Sequence, residues 1–441
     1  MDTKGSEQTS YNASRAAVIE PATQLSDKDH DTNNHHVQSV VICPCCNLKL
    51  TTQAVQHRIN AHCPQCDTQL YRGKQFLLNT NLMLALSGLL FFIPTLFLPF
   101  ITIRLINVNF ASTVISGAFA LFNEGFALLG LLIFLCSAVF PALLFISVIG
   151  AHWGLKQRHF KVFKYSLVTY QHVKHWWMLD VFLLSIAVSA FKLREYSTVT
   201  PEVGLICIVL AQVIAITLIL RMSVRLYWET WETAPDFSKQ STAVHCQHCH
   251  LSQPYTQHCQ RCQSPITQHY RRSIQTTWAF LLAAAVFLIP ANVLSISIIF
   301  SNGIRYEDTI FSGVVTLMNG HIPIAIIIFV ASILVPVAKI MGLAYILICI
   351  QLKSSADQYH RMKLYLFVKW IGKWSILDLF VIATTIALVD RDQILDFSPG
   401  PAAIAFAAVV VLTMFAAESL DPRLIWDTPT KTDNKNESYE V

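Results

Sequence analysis

The sequence predicts an all-α polytopic membrane protein built as two tandem repeats, each carrying four of eight spans. Three observations predict it. Only 13% of the 441 residues are charged and 54% are hydrophobic, against about 25% charged in soluble domains. Apolar runs of about 20 residues recur, the length a helix needs to cross a bilayer. The same order of features also runs twice: two Cys-x-x-Cys pairs, a basic segment, then four apolar stretches.

Residues 1–39 are polar, rich in Asp, Asn, Thr, Ser and His, with no apolar signal core. They read as a disordered cytoplasmic tail in which His30, His35 and His36 are solvated. Residues 40–75 hold Cys43, Cys46, Cys63 and Cys66, then Arg72 and Lys74, and lead into a membrane block over 76–230. Residues 240–270 hold Cys246, Cys249, Cys259 and Cys262, and Arg271 and Arg272 open the second block, 271–420. A second tail, 421–441, closes the chain.

Two pairs of thiolates at this spacing wrap one Zn²⁺ tetrahedrally, each pair forming a knuckle. Sixteen residues separate the first two knuckles and nine the second two. Each module is thus expected to be a cytoplasmic zinc ribbon, with the metal supplying folding energy to a module too small for a core of its own. Cys45 is a spare thiol in the first knuckle, and His245, His248, His250 and His258 crowd the second ribbon as alternative ligands. A redox dithiol normally comes as one CxxC near a βαβ pattern. Neither ribbon carries the dense Lys/Arg face and aromatic platforms of a nucleic-acid binder. Cys136, Cys207 and Cys349 lie in apolar runs, where a thiol acts as a small hydrophobe.

The expected spans are 82–103, 126–150, 177–193, 203–222, 277–300, 322–349, 374–389 and 401–417. Lys156, Arg158, Lys161, Lys164 and Lys174 follow span two; Lys353, Arg361, Lys363, Lys369 and Lys373 follow span six. The alternate loops are acidic or poor in Lys and Arg, so both ribbons and both termini are expected on the cytoplasmic side. All nine tryptophans fall at the predicted cytoplasmic helix ends, where an amphipathic ring favours the interface.

The repeat is visible residue by residue. Ile93-Pro94 answers Ile289-Pro290, Thr113 to Gly117 answers Thr309 to Gly313, Asn123 answers Asn319, and Phe140-Pro141 answers Val335-Pro336. Trp176-Trp-Met-Leu-Asp180 answers Trp374-Ser-Ile-Leu-Asp378. Four spans is an even number, so the copies insert with the same orientation, as parallel repeats. The segments 104–125 and 301–321 read as structured loops on the outer side.

Ionisable residues at membrane depth are costly and mark function by default. Lys339 lies well inside span six, with Ser332 two turns earlier on the same face, and its repeat partner is the apolar Leu144. Asp180 and Asp378 stand about one turn past the cytoplasmic tryptophans; Lys192 and Arg194 close span three, where long stems can snorkel. Lys339, Asp378, Ser332 and Asp180 are therefore the candidate transport residues. Interfacial His152, His172 and His175 carry no such signal. No P-loop, GxSxG or HExxH is present, and the chain reads as a non-enzyme.

The doubled order of Cys43/Cys46/Cys63/Cys66 and Cys246/Cys249/Cys259/Cys262 with their membrane blocks, and the Ser116-Gly117 and Ser312-Gly313 repeats, resemble the paraquat-inducible protein A family, which includes the lipophilic envelope-spanning tunnel A proteins. The resemblance covers roughly residues 40–427. It implies an inner-membrane protein that works with a periplasmic MCE-domain tunnel protein and moves lipid between the two membranes of a Gram-negative envelope. A membrane anchor for the tunnel and a zinc- or redox-sensing protein are the alternatives. A mid-span lysine favours transport, because an anchor has no use for a buried charge.

Overall fold

The computed structural model describes residues 39–52, 61–71, 78–105, 108–193, 198–232, 243–266, 271–301, 304–318, 322–353, 357–389 and 396–426. The two tails (but for Ser39 and the stretch 421–426), Arg72, Lys74, Arg194 and Asn319 lie outside the described residues, as do the side chains of Lys192, Lys373 and Asp378.

The first cysteine module is two hairpins, β1 (Ser39–Ile42) with β2 (Lys49–Thr52), and β3 (Ala61–His62) with β4 (Gln69–Tyr71). The first block then runs α1 (Leu78–Phe97), β5 (Ile101–Leu105), β6 (Val108–Ser112), α2 (Val114–Asn123), α3 (Ala127–Gln157), α4 (Phe160–Val173), α5 (Leu179–Leu193), β7 (Thr198–Pro201), α6 (Val203–Arg221) and α7 (Val224–Trp231). The hairpin β8 (Ala243–His245) and β9 (Ser252–Pro254) opens the second module. The second block repeats the first: α8 (Arg271–Val293), β10 (Ser297–Ser301), β11 (Ile304–Asp308), α9 (Ile310–Met318) and α10 (Ile322–Phe329 continuing through Val330–Leu334 and Val335–Gln351). It ends with α11 (Gln358–Ile371), α12 (Leu377–Val389), β12 (Asp396–Pro399) and α13 (Pro401–Ser419), with a 3₁₀ turn at Gly372–Ile376 before α12 and another at Pro422–Ile425.

Among the described residues, six helices are long and apolar enough to cross a membrane: Leu78–Phe97, Ala127–Gln157, Val203–Arg221, Arg272–Val293, Ala325–Gln351 and Pro401–Ser419. The two remaining expected spans are shorter. α5 has 15 residues and α12 has 13, about 22 and 20 Å of helix. Both sit at the centre, where Phe182 and Phe380 pack edge to face at 5.4 Å and Ser189 Oγ donates to Val381 O. Each is followed in sequence by an edge strand: β7 pairs with β5, and β12 with β10.

The loops after α1 and α8 are small antiparallel sheets, ordered β6-β5-β7 and β11-β10-β12, so the protein is mostly helical rather than all-α. Ile101-Thr-Ile-Arg-Leu alternates apolar and polar residues, and Ser297-Ile-Ile-Phe-Ser is β-branched and aromatic at its core. The repeated Ser-Gly motif has a local purpose. Ser116 Oγ accepts from Thr113 N–H while Thr113 Oγ1 accepts from Ser116 N–H, and Thr309 and Ser312 do the same. These reciprocal caps start α2 and α9.

α3 and α10 each widen into a π segment, Leu135–Val139 and Val330–Leu334. Pro141 and Pro336 have no N–H to give the carbonyls of Ser137 and Ser332, so the helix shifts to i→i+5 bonds, Phe140 N–H to Leu135 O and Val335 N–H to Val330 O.

Candidate metal centres and a buried polar cluster

Four knuckles share one backbone form. The first cysteine's N–H donates to the carbonyl five residues on: Cys43 to Leu48, Cys63 to Thr68, Cys246 to Leu251 and Cys259 to Ser264. The residue after the second cysteine donates back to the first: Asn47 to Cys43, Asp67 to Cys63, His250 to Cys246 and Gln263 to Cys259. Those four residues hold φ of 56°, 56°, 57° and 55°. Three of them are Asn, Asp or His, the non-glycine types that tolerate this left-handed region best.

Each set of four sulfurs lies within 4.8 Å of one another, and all eight cysteines are buried. Cys43–Cys66 and Cys46–Cys63 are 3.4 and 3.5 Å apart; Cys246–Cys262 and Cys249–Cys259 are 3.6 and 3.4 Å. An ion bonded to four thiolates at about 2.3 Å sets tetrahedral edges near 3.8 Å. The cages fit that closely. Hydrogen bonding from Cys43 and Cys46 pulls the Cys63 thiol down to about 7, and Cys246 and Cys249 do the same to Cys259. The same networks push Cys46 and Cys249 up. Four buried thiols whose sulfurs lie this close together form a donor set that a soft cation completes.

Cys45 and the four histidines stand outside both cages. Cys45 is half-buried near Thr68, Lys369 and Arg423, and burial raises its thiol. His245 Nε2 and His250 Nδ1 are 3.3 Å apart, and burial holds both imidazoles well below their usual range, His250 down to about 4.

Each cysteine module rests on the block it does not lead into. Cys43, Cys46, Leu50, Cys63 and Cys66 share a core with Met362, Tyr365, Val368, Leu420 and Ile425 of the second block. Cys246, Cys249, Leu251, Cys259 and Cys262 join the core containing Tyr170, Val173, Tyr227 and Trp228 of the first. The two cysteine modules also touch each other, Ile42 N–H donating to Ser252 Oγ at 3.1 Å.

The second site is inside the membrane block. Lys339 is 1% exposed, and its Nζ has no hydrogen-bond partner among the described residues. Ser332 Oγ, Ser375 Oγ and Asp180 Oδ1 are buried and equally unpartnered among the described residues. Ser332 and Lys339 lie on α10, which packs against the 3₁₀ turn carrying Ser375; that turn also touches α5, which carries Asp180. Asp378 follows the same turn by two residues.

The twin positions in block one are sealed. Ser137, the counterpart of Ser332, donates to Ile133 O at 2.8 Å. Leu144 stands for Lys339 and is fully buried. Trp177 stands for Ser375; it packs edge to face on Phe145 at 5.9 Å and donates Nε1–H to Gln212 Oε1 at 3.1 Å. Block two thus replaces an indole and a leucine by a serine hydroxyl and an ammonium. Ser375 went unnoticed in the sequence, although Trp-Ser against Trp-Trp in the aligned repeats carries the signal.

The profile of the family described as "Paraquat-inducible protein A" matches residues 78–232 and 274–429, which are the two membrane blocks. The chain is 34% identical over 392 residues to "Lipophilic envelope-spanning tunnel protein A" of Escherichia coli (strain K12), covering 87% of this chain and 90% of that protein. It is 31% identical to a "Probable intermembrane transport protein" of Haemophilus influenzae, covering 88% and 95%. It is 27% identical to "Intermembrane transport protein PqiA" of Escherichia coli (strain K12), covering 91% and 99%. No solved structure matches the chain. With the doubled block and both cysteine modules described, the chain belongs to the paraquat-inducible protein A family.

Proposed function

We propose that this is the inner-membrane subunit of an intermembrane lipid transport system, passing lipid between the inner membrane and a periplasmic MCE-domain tunnel. One observation carries the reading: block two keeps a buried lysine and unpaired hydroxyls where block one is closed by Leu144 and the Trp177–Gln212 pair. A lysine at mid-helix disfavours insertion by about 2.5–3.5 kcal/mol, and nothing in packing repays that. The names of the relatives, which speak of an envelope-spanning tunnel and of intermembrane transport, support the same assignment.

In this reading the eight traverses include the short α5 and α12, which run from the ribbon end to the sheet end, and both termini and both ribbons are cytoplasmic by the placement of basic loops. Each cage holds one structural Zn²⁺, with Cys43, Cys46, Cys63 and Cys66 as one ligand set and Cys246, Cys249, Cys259 and Cys262 as the other. Lys339, Ser332, Ser375 and Asp180 meet the polar part of the substrate or pass its proton, and Asp378 is the counter-charge assigned to Lys339.

The test is Lys339→Met in a deletion strain. The expected protein is folded, membrane-inserted and still co-purifies with its tunnel partner, but fails to restore the outer-membrane barrier. Full complementation would falsify the assignment of the site and leave the anchor reading in its place.

A further inference from the structure

The two blocks face each other across two sides, and the sides differ. On one side α2, the first half of α3 and β6 pack over α12. On the other, the twin elements α9, the first half of α10 and β11 give α5 no comparable cover among the described residues. Burial follows the same split. Every residue of α12 from Leu379 to Ile386 is buried. α5 instead keeps a half-open stripe, Asp180, Leu183, Leu184, Ala187, Ala190 and Phe191, at the i, i+3, i+4, i+7 spacing of one helix face. Ala187 is exposed and Phe191 is 53% exposed. The twins of Leu183, Leu184 and Ala187 are Val381, Ile382 and Thr385, all buried.

The opposite wall agrees. Ile328 and Ile333 of α10 are half-buried, whereas their twins Ile133 and Ala138 in α3 are buried. A Cβ on Gly313 of α9 would meet nothing within 4 Å, while Gly117 of α2 is buried. Among the described residues the α9–α10 arm therefore leaves this face of α5 uncovered; the face ends at Asp180, whose Oδ1 is buried without a partner among the described residues, as is Ser332 Oγ on α10.

We propose that this line is a lateral cleft that admits one acyl chain of a membrane phospholipid, with the α9–α10 arm as its gate. The inference rests on the lipid-transport reading and gives it a route. An acyl chain is the occupant that fits. The cleft is apolar from Leu183 to Phe191 and lies at membrane depth, where its surroundings are hydrocarbon. The uncovered strip is also narrow: of residues 183–190 only Ala187 is exposed, whereas a helix packed at about 8–10 Å between axes covers a broader face. Its polar foot suits a headgroup, since Asp180 ends the stripe and the 3₁₀ turn carrying Ser375 touches both α5 and the α10 segments carrying Ser332 and Lys339, all with hydrogen-bonding capacity unused among the described residues. On the twin side α2 and the first half of α3 already pack over α12, so among the described residues only one of the two sides is open.

The experiment counts phospholipid retained by the purified full-length protein after an extended detergent wash, by mass spectrometry. Ala187→Trp, which fills the cleft, should retain at least threefold less than wild type. Val213→Trp, on the exposed outer face of α6, should retain as much as wild type. Equal retention by Ala187→Trp, equal loss in Val213→Trp, or no retention by wild type overturns the cleft. Should Ala187→Trp fail to fold, Ala187→Cys replaces it. Its reaction with N-ethylmaleimide should slow when phosphatidylethanolamine–phosphatidylglycerol vesicles are added back; an unchanged rate, or protection only by a co-purified protein, overturns the proposal. Lipid lost from Ala187→Trp while Lys339→Met keeps full barrier function supports the cleft and sinks the polar-site reading. Lipid kept by Ala187→Trp while Lys339→Met is inactive does the reverse.

Discussion

Arg423 donates from Nε to the carbonyl of Pro44 at 3.3 Å, so the last described turn of the second block holds the first knuckle of the first ribbon. Gln171 does the reciprocal service, donating to the carbonyl of His248 at 3.1 Å. Cys43→Ser with Cys46→Ser should therefore loosen the distant block. Hydrogen exchange should rise about tenfold in 358–371 and 422–425, with little change in 160–173, because a segment opens locally once the surface it packs on is disordered. A rise confined to 160–173 would contradict the crossed packing.

Metal content provides a second check. Purified protein should carry two Zn²⁺ per chain, and either cage mutated at two cysteines should reduce that to one, since each set of four is closed by itself. Chelation should lower the melting temperature by several degrees, the metal's binding energy being folding energy for modules of this size. Metal-free protein of undiminished stability would remove the structural role.

The contrast between Trp177 and Ser375 gives a pair of opposite substitutions. Ser375→Trp should close the space beside Lys339 and abolish barrier function at a cost of about 1–3 kcal/mol for overpacking. Trp177→Ala should cost more stability, about 3–5 kcal/mol, yet leave barrier function largely intact wherever the protein still folds. If the two exchange roles, with Trp177→Ala the inactive one, the working centre lies in block one.

Topology is tested by two fusions. A reporter after Tyr439 should report the cytoplasm, and one inserted beside Thr198, at the start of β7, should report the periplasm. A cytoplasmic signal at Thr198 would leave α5 outside the set of traversing helices.

Much of the architecture was legible because periodic signals carried it. The cysteine spacing named both cages, and the apolar lengths named the six long helices found among the described residues; the segments holding Thr113 to Gly117 and Thr309 to Gly313 read only as structured loops, and their capping motifs start α2 and α9. The sheet-end strands were not legible: Ile101 to Leu105 and Ser297 to Ser301 are five residues each, and adjoining apolar spans hide their alternation. The crossing of the ribbons had no local signal either. It is set by Arg423 meeting Pro44 across 379 residues, and no window along the chain contains both. The polar site was half legible. Lys339 announced itself as a charge in an apolar run, whereas Ser375 mattered only by comparison with Trp177.

Crossed ribbons also bear on ancestry. Two copies of a half-length chain, each one ribbon and one block, would form this same arrangement by exchanging ribbons across a twofold axis. Such a pair would come apart on dilution, because its stability would depend on subunit concentration. Joining the copies end to end removes that dependence and frees the two halves to diverge. A leucine in one half can then become a lysine in the other, which no symmetric pair of identical chains could do.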